Sequence, residues 1–339
     1  MRHRLRAAAL LLGALLLAGG FMAGCTPEEG FTPEGSPSLA NPDYVRTPPP
    51  VQMPLPVGDN LQAVSKNDLD GNPVSCFIDF TYIDQGYIQA QYTGPQLGRL
   101  FVYKGDFEST ENTSYMMPTD GSTTCIPLSM GNGAYSFKLT YYAGLDAAGQ
   151  QTWASLLRVE SMQVTVTDEF TMYLIPNQLV RYTENSNCVT LSHEITQHCG
   201  DNLEVVQQIY SWIADNISYD VEKAENSGVP VGNYEPDPDR TLAERKGICY
   251  DYSSLAAAML RANGIPTIMV KGLVLRSNGT ELYHAWNLVW LKEAGWIAVK
   301  LAVNPNDWTR IDVTFAAGQD SNIGAFIGNG ENYTDLTYH

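Results

Sequence analysis

Positive charge is scarce in this chain: 20 Lys+Arg stand against 37 Asp+Glu over 339 residues, a formal charge of −17 at pH 7. Three of the cations, Arg2, Arg4 and Arg6, fall in a segment read below as a removable leader. Too few remain to neutralise a row of phosphates, which excludes nucleic acid as a partner. Cysteine is sparse as well, six in all, so the chain is no disulfide-dense scaffold. Histidine numbers five, two of which (His3 and His339) lie at the chain ends. Past residue 25 no apolar run is long enough to span a bilayer. Yet 44% of residues are hydrophobic and only 17% charged, which excludes a chain disordered throughout. An acidic globular protein of about two domains is left, with room for a signal and a linker.

The signal comes first. Residues 2–6 carry the charge, residues 7–23 are apolar, and Gly24-Cys25 ends the run, the layout of a secretory signal peptide over 1–24. Met22-Ala23-Gly24-Cys25 resembles the bacterial lipobox, which implies cleavage before Cys25 and diacylglycerol on its sulfur. An uncleaved membrane helix is the competing reading. Against it, the chain turns polar and proline-rich immediately after Cys25. Nine of the nineteen prolines lie between Pro27 and Pro56. Residues 25–57 therefore read as an extended, lipidated tether, reaching on the order of 90 Å at about 3.1 Å per residue. The expected location is extracytoplasmic, on a bacterial membrane.

Residues 58–182 alternate apolar and polar, with aromatic and β-branched enrichment and turn signals such as Gly94-Pro95 and Gly131-Asn132-Gly133. That pattern predicts an antiparallel β-sandwich. No histidine falls in it and its acids are scattered, so it is read as positioning or displaying its neighbour. Asp68-Leu69-Asp70-Gly71 hints at a calcium turn, without the remaining acids of a full loop.

Residues 183–339 change character to α+β. Asp201 and Glu204 open a helix, and Tyr252, Leu255, Ala256 and Met259 recur at helical spacing until Asn263-Gly264 and Pro266 stop it. Cys249 thus falls at or near a helix's first turn, where unpaired amides and the dipole favour a thiolate and can receive an oxyanion. Asp251 counts against that activation unless it points away. A base is needed, and the short histidine count narrows it. His193 and His198 sit in a segment resembling HExxH, but their spacing of five puts the rings roughly 140° apart on a helix. A zinc site from Cys188, His193, His198 and Cys199 stays open as a minor reading, and no metal or cofactor is expected. His284 lies on an alternating strand with Trp286, Leu288 and Trp290 on its side.

Gly247-Ile248-Cys249 with Asp251-Tyr252, the run 259–266, Tyr283-His284-Ala285-Trp286-Asn287 and the run 308–315 together resemble the transglutaminase-like superfamily. The resemblance implies a papain-like α+β fold with Cys249 as nucleophile, His284 as its imidazolium partner and base, and Asp312 as orienter of the imidazole. It further implies a hydrolase, protease or acyltransferase acting on protein or peptide amides, cell-wall peptides included. Catalytically dead members exist, so a non-catalytic binding or structural module is the alternative. Trp296 places Lys300 where the family's acid is expected, and Trp308 places Asp312 there instead; a lysine could not accept from an imidazole N–H. Trp212 and Tyr219 are candidates for a second oxyanion donor. The remaining cysteines are read either as Cys76–Cys125 and Cys188–Cys199 bridges or as four buried thiols.

Overall fold

The computed structural model describes residues 45–226, 234–275, 279, 281–292, 295–298 and 333–339. Eight strands come first: β1 (Leu61–Asn67), β2 (Pro73–Asp79), β3 (Tyr87–Thr93), β4 (Gly98–Lys104), β5 (Asn112–Met117), β6 (Asp120–Pro127), β7 (Gly133–Leu145) and β8 (Gln151–Val164). They form two antiparallel sheets, ordered β1-β2-β3-β6 and β5-β4-β7-β8. The predicted sandwich is present. Its core takes one residue in two from each sheet, Ile78, Ile88 and Tyr92 meeting Leu100, Val102 and Phe137, all fully buried. Phe80 and Phe137 meet edge to face at 5.2 Å across it.

The Asp68 turn has a structural account. Its carboxylate accepts the Asp70 and Asn72 amides at 2.9 and 2.8 Å, and Gly71 supplies a φ of +87°. Those oxygens close the β1–β2 hairpin, the usual work of an Asp in a turn.

The α+β part follows: α1 (Asn187–Thr196), α2 (Asn202–Asn216), β9 (Ser218–Tyr219), α3 (Val221–Asn226), α4 (Pro238–Glu244), β10 (Lys246–Gly247) and α5 (Cys249–Ala262). Then come β11 (Thr267–Leu275), β12 (Glu281–Leu291), β13 (Gly295–Ala298) and β14 (Tyr333–Tyr338), in the antiparallel order β13-β12-β11-β14. Every residue of α5 is buried. Ala256, Ala257 and Ala258 let neighbours approach closely, and the polar residues at its end are bonded: Asn263 donates to Ser192 Oγ at 2.7 Å and Met259 O at 3.0 Å. The sheet β13-β12-β11-β14 is covered on both faces. Met269, Ala285, Val289 and Leu291 pack with α5, whereas Ile268, Val270 and Trp286 pack with Tyr87, Cys125, Met172 and Tyr173.

Two expectations need correction. The Cys76–Cys125 bridge is excluded by sheet geometry. Cys76 stands opposite Tyr92 and Cys125 opposite Gln89, and Tyr92 and Gln89 are three apart on β3, so the sulfurs leave opposite faces. Cys188 lies in the first turn of α1 and Cys199 three residues past its end, and the helix, rising about 12 Å from Cys188 to Thr196, holds them beyond the roughly 7 Å Cα limit of a disulfide. All four are buried thiols. Second, the tether does not stay clear of the fold up to residue 57. Residues 45–57 carry no helix or strand, as expected, but Val51 and Met53 pack on the α-helical core. Arg46 N–H donates to Gln197 O at 2.7 Å, and Gln89 Nε2 donates to Leu55 O at 2.6 Å. The apolar residues set among the prolines are the reason. Cys25 and the leader lie outside the described residues.

Candidate functional site

Cys249 is the first residue of α5, with Ile248 as its N-cap. Isoleucine has no side-chain acceptor, so the amides of the first turn are not spent on a side-chain cap and keep the polarity that favours an anion there. Cys249 is 9% exposed, a buried thiol at the surface edge of the helical core.

Asp251, two residues on, does point away from solvent and into its own network. At 1% exposure its carboxylate accepts Ile248 N–H at 2.8 Å, Lys223 Nζ at 2.7 Å and Tyr234 OH at 2.5 Å. Lys223 also lies over the Tyr234 ring at 4.2 Å and donates to its hydroxyl. The lysine offsets the carboxylate's charge, which removes the objection that Asp251 would repel a thiolate at Cys249. Gly247 is required by the same arrangement: a Cβ there would meet Asp251 Cβ at 2.6 Å. Lys223 and Tyr234 were not legible in the sequence as site residues. An acid at the third helical position after Gly247-Ile248 was the available signal for half a capping box.

Connectivity brings the candidate base alongside. The short turn at Asn263-Gly264, with Gly264 at φ +72°, sends β11 back along α5. Since β12 is antiparallel to β11, it runs the same way as α5. One side-chain amide fixes their register: Asn287 Nδ2 donates to Ser253 O at 3.0 Å, and Tyr210 OH donates to Asn287 Oδ1 at 3.1 Å. From that pin, Cys249 lies about 6 Å back along the helix and His284 about 10 Å back along the strand. The two backbones therefore meet at the same end of the helix–strand pair.

Ala285, Asn287 and Val289 face α5, whereas His284 alternates onto the opposite face with Trp286, the two rings 6.3 Å apart and inclined by 25°. His284 is 3% exposed, and burial pushes its pKa down to about 3. Burial thus favours the neutral form of this imidazole. Asp312, Lys300 and Trp308 lie outside the described residues. Tyr219 pairs with Gly247 in the parallel β9–β10 bridge, two residues before Cys249. Trp212 instead packs under the Arg245 guanidinium at 4.7 Å. In the alternative metal set, His193 Nε2 lies 3.0 Å from Ala262 O, and Cys188 and Cys199 are held apart by α1. No cluster of His, Cys, Asp or Glu suited to a metal occurs among the described residues.

Burial of the imidazoles has a pH consequence. His284 at about 3 and His339, also pushed well below the usual value by burial, both stay neutral in the fold. A depressed histidine keeps its full stability above the unfolded pKa of about 6.5 and loses it as pH falls toward the folded value, by about 1.4 kcal/mol per pH unit for each. Urea unfolding should therefore give a lower midpoint at pH 5.0 than at pH 7.5. An equal or higher midpoint at pH 5.0 would remove the neutral-imidazole assignment.

Residues 189–301 match the model of the transglutaminase-like superfamily. The curated relatives are partial. A UPF0252 protein of Methanocaldococcus jannaschii is 24% identical over 134 residues, 38% of this chain and 37% of that protein. The kyphoscoliosis peptidase of Mus musculus is 31% identical over 143 residues, 40% of this chain but 19% of that protein. The matches thus span well under half the length of these relatives. A crystal structure of a candidate cysteine protease from Cytophaga hutchinsonii aligns over 82% of this chain and 84% of that chain, at 12% identity and a TM-score of 0.37. The matched segment runs from within α1 through β13 and includes both Cys249 and His284.

Proposed function

We propose that the protein is a cysteine enzyme acting on protein or peptide amide bonds through Cys249, His284 and Asp312, held outside the cytoplasm by lipid on Cys25. One observation carries the reading: Cys249 opens a fully buried helix inside the segment that matches the transglutaminase-like model. The Cys249 sulfur attacks the amide carbonyl as His284 takes its proton, and first-turn amides receive the oxyanion. His284 returns that proton to the leaving amine or ammonia, leaving a thioester. Water or a second amine then attacks the thioester, giving hydrolysis or acyl transfer. Asp312 orients the imidazole, following general triad logic.

The acid is tested directly. Asp312→Ala should lower turnover of an amide substrate by about 10³-fold or more with the fold unchanged by circular dichroism, while Lys300→Ala stays within a few-fold of the parent. Near-full activity in Asp312→Ala sinks the assignment. For the anchor, mass spectrometry of membrane-extracted protein should find diacylglyceryl Cys25 at the N-terminus; an intact leader refutes it. A second reading, a non-catalytic surface module, is favoured by the position of His284 on the face away from α5. It is separated from the first by whether Cys249 reacts with an amide-like electrophile.

A further inference from the structure

A cleft of about 960 Å³ opens where the sandwich meets the α-helical part, and its walls include neither Cys249 nor His284. That volume is at the upper end of the roughly 300–1,000 Å³ usual for ligand sites. One wall is β6, which pairs with β3 on one side and with no strand on the other among the described residues. Ser122, Thr123 and Thr124 of β6 line the cleft. No lysine or proline interrupts this stretch, two of the devices by which exposed sheet edges are ordinarily blunted against pairing; a register shift against β3 falls between Asp120 and Thr123, and Thr123 and Thr124 stand in regular register with Gln91 and Ala90. The opposite wall is acidic: Glu235, Asp237 and Asp239 stand there, with Asp120 at the start of β6, against the single guanidinium of Arg181. Arg181 is itself paired with Glu235 at 3.1 Å.

Between the walls sits an orphaned donor. Asn177 is 7% exposed, and its Oδ1 accepts the Leu179 and Val180 amides at 3.0 Å each. That fixes the amide's orientation and leaves Nδ2 buried in the cleft wall with no acceptor among the described residues. A buried amide donor left in this way costs about 1–3 kcal/mol, which an incoming carbonyl would recover.

We infer that the cleft binds an extended peptide bearing lysine or arginine, added as a strand to the free edge of β6. Main-chain pairing along β6 supplies affinity, as in other strand-addition sites. Asn177 Nδ2 donates to a peptide carbonyl, and the carboxylates select cationic side chains. The site is separate from the proposed thiol chemistry and does not depend on it.

The test uses the intact chain and fluorescein-labelled Lys-Thr-Lys-Thr-Lys-Thr-Lys, followed by anisotropy. Two companions share its length: the same peptide N-methylated at alternate residues, which cannot complete a ladder, and a Glu-Thr version. The lysine peptide should bind saturably, with at least tenfold weakening on methylation and at least tenfold on reversing its charge. The Cys249→Ser chain should bind it equally well. Equal affinity for the methylated peptide, equal affinity for the acidic peptide, or no saturable binding of the lysine peptide would each overturn the inference. Loss of binding in Cys249→Ser would place the peptide at the thiol and overturn the separate site.

Discussion

Replacing Cys249 with serine should abolish both turnover of an amide substrate and covalent capture by an amide-like electrophile, by about 10³-fold or more. Serine keeps the side chain's shape at a position that is 9% exposed, so the fold should survive and the loss should be chemical. The argument rests on position. The first turn of α5 carries no side-chain cap from Ile248, and the Asp251 carboxylate is held by Lys223, Tyr234 and the Ile248 amide. A developing negative charge at Cys249 therefore meets amides and a neutralised acid. The pH dependence carries further information. Burial pushes the His284 pKa down to about 3, which disfavours a resting ion pair between its imidazolium and the thiolate. Alkylation by iodoacetamide should then rise with pH as an ordinary thiol titrates, without a plateau below about pH 7. Such a plateau would mean that His284 is charged and paired with Cys249 in solution. Absence of electrophile capture in the parent chain would leave the non-catalytic module as the reading of the fold.

The sandwich was legible because its strands alternate with a period of two and one face of each meets a single core. Alternation also placed His284 with Trp286 correctly. It could not tell which face would meet α5, because β11 and β12 are buried on both sides and both faces are apolar. The start of α5 at Cys249 was legible from Asn263-Gly264 and the spacing behind it. The Lys223–Asp251–Tyr234 network was not, since hydrogen bonds between residues 17 and 28 apart leave no periodic trace. Sequence nearness misled for the cysteines: Cys188 and Cys199, eleven positions apart, would be close in a loop, but here a helix fills most of the interval and holds them apart.

Arg261→Met should destabilise the fold by about 3–5 kcal/mol, the scale of leaving buried main-chain acceptors without their donor at about 1–3 kcal/mol each. Arg261 is 0% exposed, near the end of α5, and its guanidinium reaches three backbone carbonyls from distant parts of the chain. Nη1 donates to Ile175 O at 2.7 Å, Nε and Nη2 donate to Thr267 O at 3.0 and 2.7 Å, and Nη2 donates to His339 O at 3.0 Å. Burial lowers its pKa to about 10, which leaves it charged at neutral pH. Methionine fills similar space but offers no donor, so Ile175 O and Thr267 O lose their guanidinium partner while His339 O keeps only the Met269 amide at 2.7 Å. Arg261→Lys restores the charge without the planar fork, so it should recover only part of the loss. The His339 carbonyl matters most, because His339 also places its Nδ1 3.3 Å from Tyr115 OH on β5 and exchanges backbone hydrogen bonds with Met269 on β11. Loosening Arg261 therefore frees the contact by which the last strand joins the sandwich to the sheet under α5. Urea unfolding followed by tryptophan fluorescence measures the change, and the thermal midpoint should fall by on the order of 10 °C. A loss below about 1 kcal/mol in Arg261→Met would mean that the three carbonyls find other donors and that the guanidinium does not hold these segments together.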